Sequence, residues 1–155
     1  MDQTETAYHY KESGLDTIWL VNGFARHQTG YGSAISITDV RGLHKALAKM
    51  LVDAPRPLNG AEFRFLRNEL ELSQRRLGEL LNCDEQALAR WEKARTRPVK
   101  GAAERMIRAL YIEFVKADGT VRRLLERLAE LDAVAAPEKI IMRKPDRKPW
   151  RQAEA

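Results

Sequence analysis

The chain has 155 residues, of which 44% are apolar, and a formal net charge of +5. This length suits one domain or two small ones, and the apolar fraction can supply a real core. No apolar run approaches the ~20 residues that span a bilayer, and the first residues lack the basic and apolar regions of a signal peptide. The single cysteine, Cys83, excludes an internal disulfide and fits a reducing compartment, so we expect a cytoplasmic protein with no membrane partner.

Residues 1–54 are predicted to form a small α+β domain that dimerises or binds a partner. Residues 17–24 are rich in β-branched and aromatic side chains, and residues 33–37 alternate with period two, so both runs predict strands. Glycines mark a turn at residues 30–32, which predicts a β-hairpin or small sheet. Thr38 or Asp39 then caps a helix whose apolar residues recur at helical spacing: Val40, Leu43, Leu47, Met50 and Leu51.

A second domain is predicted over residues 58–134, after a linker rich in proline, asparagine and glycine at residues 55–60. It opens with a helix over residues 61–71 and closes with two amphipathic helices after Pro98, separated by a break at Asp118 and Gly119. The last helix, capped by Thr120, is more apolar than a lone domain requires. Its apolar stripe consists of Val121, Leu124, Leu125, Leu128 and Leu131. This stripe packs either within the chain or against a second protomer.

Between these elements, residues 72–93 carry the pattern of two short helices joined by a tight turn. Ser73 is a good N-cap for the first helix, and Asp84 for the second, where its carboxylate also suits the positive end of the helix dipole. Asn82 tolerates the left-handed backbone that a sharp turn needs, and Cys83 supplies a small side chain at the corner. The first helix has one apolar stripe, formed by Leu77, Leu80 and Leu81.

The second short helix has one apolar and one polar side. Leu88 and Trp91 face inward, whereas Gln86, Arg90 and Lys93 share the other side at i, i+4 and i+7. Gln pairs with adenine and Arg with guanine in the major groove of DNA, so we predict these three residues as base contacts. The alternative is an ordinary solvated face. The whole segment is typical of a helix-turn-helix, which places its second helix in the major groove.

Contacts to DNA phosphates are predicted mainly at the start of the first short helix, where backbone N–H groups and basic side chains can meet the DNA backbone. Two arginines after the second helix complete the set. The predicted phosphate contacts are Ser73, Gln74, Arg75, Arg76, Arg95 and Arg97.

Residues 135–155 are predicted to be a basic, flexible tail. From Lys139 to Arg151 there are six basic residues and one acidic residue, so the remainder of the chain is neutral overall. Pro145, Pro149 and Trp150 argue against a continuous helix. The tail is either an arm that binds phosphates or enters the minor groove, or a solvated terminus that aids solubility.

Residues 72–74, 77, 80–81 and 87–92 resemble the pattern of XRE/Cro-like helix-turn-helix regulators. The longer stretch from Leu58 to about Tyr111 is similar to the DNA-binding half of MqsA/YgiT-type antitoxins. The second resemblance implies that an amide residue and an arginine four positions later read bases, and these are Gln86 and Arg90 here.

The chain departs from the family pattern in two ways. It has Asn82 and Ala94 where the family usually has glycine, so the second short helix is expected to run on toward Arg95 or Thr96 before Pro98. The zinc domain of MqsA-type antitoxins is built on cysteine pairs, and one cysteine cannot form a Cys₄ or Cys₂His₂ site. We therefore expect no metal and no cofactor.

The sequence predicts a mostly α protein, with a five-helix XRE-type helix-turn-helix domain preceded by the small α+β domain. The chain has no glycine-rich phosphate loop, nucleophile elbow, metalloprotease motif or paired carboxylates, so it is not expected to be an enzyme or to have catalytic residues. We interpret it as a repressor that binds double-stranded DNA as a homodimer on an inverted repeat and regulates its own operon. The alternative is an antitoxin that neutralises a toxin through its N-terminal part. RNA binding or an adaptor role is a third hypothesis, supported by the basic tail alone.

Overall fold

A computed structural model describes residues 7–116, 120–130, 139–140 and 142–153. Within these ranges the chain forms six helices and three two-stranded antiparallel sheets, and no helix there is long and apolar enough to cross a membrane. The strands are β1 (Tyr8–His9), β2 (Trp19–Leu20), β3 (Phe24–Thr29), β4 (Gly32–Ile37), β5 (Met142–Arg143) and β6 (Arg151–Gln152). The helices are α1 (Val40–Asp53), α2 (Gly60–Glu69), α3 (Gln74–Leu81), α4 (Glu85–Lys93), α5 (Ala102–Lys116) and α6 (Thr120–Glu130).

The predicted β-hairpin is present, but its first strand is not residues 17–24. The hairpin consists of β3 and β4, whereas β2 is only two residues long and pairs with β1. Gly23 has φ +77°, a left-handed conformation that interrupts the apolar run before β3 begins. Most of the hairpin is exposed to solvent, and Tyr31 at its tip is fully exposed.

Of the two predicted caps of α1, Thr38 and Asp39, the structure has Asp39 at the N-cap. Its carboxylate accepts a hydrogen bond from the Gly42 N–H at 3.1 Å, and its own φ of 53° is one that aspartate tolerates. The buried face of α1 carries Leu47, Ala48 and Leu51, which belong to the main core.

Helix α2 begins with a capping box formed by Glu62 and by Asn59, which the sequence predicts as part of the linker. Asn59 Oδ1 accepts from the Glu62 N–H, and the Glu62 carboxylate accepts from the Asn59 N–H, both at 2.9 Å. Arg56 donates two further hydrogen bonds of 2.7 Å to this carboxylate. Burial alone raises the pKa of Glu62, but these hydrogen bonds outweigh it, so its pKa lies below the ordinary value. The helix ends at Glu69 rather than residue 71, because Glu71 is left-handed with φ 57°.

Helices α5 and α6 lie in the region predicted for the two closing helices. α6 packs on α3 and α5, with Leu125 against the core and Leu124 half exposed. The side chains of Val121 and Leu128, the whole of Leu131, and the predicted break at residues 118–119 lie outside the described residues. That this apolar stripe contacts a second protomer therefore stays a hypothesis.

One hydrophobic core extends across the predicted linker. Tyr10 and Leu15 from the N-terminal part share it with Phe65 and Leu66 of α2. A polar chain runs beside it: the Tyr10 hydroxyl lies 2.7 Å from His44 Nε2, and His44 Nδ1 lies 2.9 Å from the Glu69 carboxylate. The division into residues 1–54 and 58–134 stays a prediction, although the two parts are packed together.

The linker itself is tied to α5 by Arg108. Its Nε donates to the buried Glu104 carboxylate at 2.7 Å, and the same carboxylate accepts from the Leu58 N–H at 3.0 Å. The guanidinium also donates to carbonyls at the end of α1 and in the linker, those of Val52 (3.1 Å), Ala54 (2.8 Å) and Arg56.

Candidate nucleic-acid interface

The turn between α3 and α4 has the geometry that the sequence predicts. Ser73 Oγ accepts from the Arg76 N–H at 3.0 Å and so caps α3. Asn82 is left-handed, with φ 51°. The Cys83 N–H then donates to the Gly78 carbonyl at 2.9 Å. A Cβ at Gly78 would lie 2.8 Å from the Cys83 carbonyl oxygen, so this glycine lets the turn close against α3.

Helix α4 is capped as predicted but ends sooner. Asp84 Oδ1 accepts from the Gln86 N–H at 3.0 Å, and the helix stops at Lys93. The expectation that it runs on toward Arg95 or Thr96 was wrong. The Arg95 carbonyl accepts from the Ala61 N–H and the Arg97 carbonyl from the Gly60 N–H, both at 3.1 Å, so these carbonyls cap α2 instead of extending α4. Ala94 has φ −82° and needs no glycine.

The start of α2 lies directly against the end of α4. A Cβ at Gly60 would lie 2.0 Å from the Trp91 carbonyl oxygen, so only glycine allows this approach. Trp91 is half-buried, and its ring meets that of Phe63 edge-on with centroids 5.9 Å apart. These contacts fix the position of α4 on the body of the protein.

A buried ion pair fixes α4 from the same side. Glu92 is 4% exposed, and Arg67 of α2 donates to its two carboxylate oxygens at 2.9 and 2.6 Å. Arg67 also donates to the Leu72 carbonyl at 2.8 Å, at the start of the segment that leads into α3. One guanidinium therefore joins α2, α4 and the connection between α2 and α3.

The three predicted base contacts lie together on the free side of α4. Gln86, Arg90 and Lys93 are all exposed, and their side chains have no hydrogen bond or ion pair within the described part of the chain. The opposite side carries Leu88, which is fully buried, and Glu92. The helix thus offers one amide and two cations to solvent from a fixed backbone.

The predicted phosphate contacts on α3 are near the surface but are not all free. Ser73 and Arg75 are exposed, and Gln74 and Arg76 are partly exposed. Arg75 pairs with Glu79 at 3.3 Å, whereas Arg76 pairs with both Glu79 (3.2 Å) and Glu126 of α6 (2.8 Å). Hydrogen bonding to these carboxylates raises the pKa of Arg76. A DNA phosphate bound here would replace a carboxylate as the partner of Arg75 or Arg76.

The two predicted arginines after α4 differ from each other. Arg97 is exposed and has no side-chain partner in the described ranges. Arg95 is bound to the N-terminal part: it donates to the Asp16 carboxylate at 2.9 and 3.2 Å and to the Gly14 carbonyl at 2.6 Å. The Arg95 guanidinium lowers the pKa of Asp16. The segment before β2 therefore reaches the end of α4.

Sequence reasoning missed Arg67, Glu92, Gly60 and Asp16. A signal for Glu92 was present, because it follows Trp91 and lies four residues after Leu88, on the inward side of α4. A charged residue on an apolar helix face indicates a buried partner. The others depend on contacts between residues far apart in the chain.

Residues 60–112 match the family model of a helix-turn-helix domain. The match covers α2, α3, α4 and most of α5, and it indicates DNA binding and transcription regulation. It supports a helix-turn-helix regulator without singling out the MqsA/YgiT type. Because it ends before α6, a five-helix XRE-type domain stays a prediction. No curated protein and no solved structure matches this chain.

Proposed function

We propose that this protein is a sequence-specific repressor that binds double-stranded DNA with α4, the recognition helix, in the major groove. The observation that carries the proposal is the contrast between the two sides of α4. Gln86, Arg90 and Lys93 are exposed and unpartnered in the described part of the chain, while the Arg67–Glu92 pair holds the other side. Base reading needs hydrogen-bonding side chains on a rigid support, and this helix has both.

The repressor acts as a homodimer on an inverted repeat and regulates its own operon. One helix-turn-helix reads only a few base pairs, and a two-fold pair of copies doubles the length of the site. The N-terminal part is our candidate for pairing the copies, with α6 as the other candidate.

A protein partner for the N-terminal part is a second candidate function, as in an antitoxin that neutralises a toxin. It is favoured by the exposure of the β3–β4 hairpin, whose tip carries the fully exposed Tyr31. Exposed aromatic side chains are common anchors in protein interfaces. The two functions are compatible, since a toxin would bind away from α4.

The test is selection of bound sequences from a random DNA library, followed by footprinting and affinity measurements with variants. Arg90→Ala should lose ~1–3 kcal/mol of specific binding if Arg90 makes a bidentate contact to guanine. Gln86→Ala should relax the preference at a neighbouring base.

Arg41→Ala is the matched control, because Arg41 is an exposed arginine on α1 with no side-chain partner in the described chain. It should bind the selected operator as the wild type does. Equal operator affinity of the wild type and the Gln86→Ala/Arg90→Ala double variant would refute the assignment of α4 as the recognition helix.

A further inference from the structure

The sequence predicts a flexible tail at the C-terminal end, whereas residues 142–153 of it form a hairpin. β5 pairs with β6 in the register Met142↔Gln152 and Arg143↔Arg151. At the turn, the Lys148 N–H donates to the Pro145 carbonyl at 3.3 Å, and Lys144 Nζ donates to the Lys148 carbonyl at 2.9 Å. From residue 142 to 153 the hairpin has five basic residues and one acidic residue.

The register places two arginines directly opposite each other. Side chains opposite one another on antiparallel strands have Cβ atoms about 5 Å apart, and like charges in this position are destabilising. Neither Arg143 nor Arg151 has an ion pair with any residue that the structure describes. The register therefore brings two cations to opposite positions of the hairpin without an ion-pair partner among the described residues, and an anion bound by both would supply the missing negative charge.

A cleft of about 190 Å³ lies at this pair, lined by Arg143, Arg151, Gln152 and Ala153. A water molecule takes up about 30 Å³ in the liquid, so the cleft has room for a phosphate group. Guanidinium groups bind phosphate oxygens in a two-pronged geometry with charge-assisted hydrogen bonds.

We infer that Arg143 and Arg151 form a phosphate-binding site, which holds the phosphodiester backbone of DNA while α4 reads the bases. The choice of DNA as the source of the phosphate rests on the proposed function. A helix-turn-helix domain in the same chain brings DNA to the protein, so the backbone is the phosphate most available to the hairpin.

The test is the salt dependence of DNA affinity, measured with the full chain. Each phosphate neutralised on duplex DNA contributes about 0.9 to the slope of log affinity against log salt. Arg143→Gln/Arg151→Gln should lower this slope by about that amount and should weaken binding to all sequences alike. Arg147→Gln/Lys148→Gln is the matched control, because it removes the same charge at the turn and should change the slope less.

A second measurement does not depend on DNA. Titration with inorganic phosphate, followed by NMR, should shift the Arg143 and Arg151 signals more than those of Arg147 and Lys148. The absence of such shifts would overturn the site. An equal change of slope in the two double variants would also overturn it, because only the total charge of the hairpin would then matter.

Other outcomes separate this inference from the proposed function. If Arg90→Ala leaves the sequence preference unchanged but the slope still depends on Arg143 and Arg151, the repressor assignment fails and the phosphate site stands. If the two arginines are needed for binding to phosphatidylserine vesicles and not for the salt slope on DNA, the source of phosphate is a lipid surface, and the inference of a DNA contact is wrong.

Discussion

Arg67 and Glu92 form a two-pronged ion pair that is almost fully closed to solvent, with the Nη2 of Arg67 2.6 Å from the Glu92 carboxylate. The two residues are 25 positions apart in the chain and belong to α2 and α4. Because Glu92 lies on the side of α4 opposite to Arg90, the direction of the proposed reading face depends on this pair.

Replacing one member of the pair should lower the stability of the folded protein. Arg67→Met removes both hydrogen bonds to the buried Glu92 carboxylate and leaves it, among the described residues, only Arg64, whose Nε lies 4.0 Å away; breaking a buried pair costs about 3–5 kcal/mol in comparable cases. The free energy of unfolding, measured with chemical denaturant, should fall by this amount. Arg75→Gln, which removes an exposed pair with Glu79, should change it by less than about 1 kcal/mol.

The double variant Arg67→Met/Glu92→Leu distinguishes a lost pair from lost packing. It should be more stable than Arg67→Met alone, because no unpaired charge remains buried. A double variant that is less stable than Arg67→Met alone would contradict this account.

Gly60→Ala should destabilise the protein although alanine is the better helix former. The new Cβ would lie 2.0 Å from the Trp91 carbonyl oxygen, so α2 and α4 must separate. Overpacking of this kind typically costs 1–3 kcal/mol. Gly30→Ala is the control, because a Cβ at Gly30 meets nothing within 4 Å and its φ is not left-handed. Similar thermal midpoints for the two variants would show that α4 is not held by this contact.

Asp16→Asn should strengthen binding to DNA of any sequence. The Asp16 carboxylate holds Arg95, a predicted phosphate contact, and also places a negative charge beside it. Loss of one unit charge near a phosphate is worth up to about 1 kcal/mol at low salt. Asp53→Asn, on α1 and paired with Lys49, should leave the affinity unchanged. Unchanged affinity of Asp16→Asn in fluorescence anisotropy would place Arg95 away from the DNA.

Glu62 should make the stability of the protein sensitive to acid. Its pKa in the folded protein lies below the ordinary 4.5, so its contribution is fully present above pH 4.5 and is lost as the pH falls through the folded pKa. Glu62→Gln should therefore be less stable than the wild type at pH 7, and the difference should shrink below about pH 4.5. Glu71→Gln, at an exposed carboxylate, is the control. A difference that stays constant with pH would exclude this role of Glu62.

Local features of the fold could be predicted from the sequence because they depend on neighbouring residues. Asp39, Ser73 and Asp84 all cap helices, and Asn82 is left-handed at the turn, as their side chains indicate. The position of the hairpin was harder to predict. The run 17–24 has the composition of a strand, but the left-handed Gly23 ends it, and β3 begins at the next residue.

Contacts that depend on tertiary structure could not be predicted in the same way. Arg67 and Glu92 are an example: both are buried, and their pairing is set by the packing of α2 on α4 rather than by neighbouring residues. The Arg95–Asp16 contact joins residues 79 positions apart, for which no local pattern exists. The base-contact set stays a prediction, since exposure of Gln86 and Arg90 is necessary for it but not sufficient.

The hydrogen bonds from Arg108 to the end of α1 and to the linker have a consequence for the spacing of the operator. A linker fixed in this way leaves little freedom for α4 to swivel relative to residues 7–54. DNA rotates by about 35° for each base pair, so an inserted base pair turns one half-site away from the other. If the N-terminal part pairs the two copies, the distance between the two α4 helices is fixed. The protein should then bind half-sites at one centre-to-centre distance and lose affinity steeply when that distance is shorter or longer.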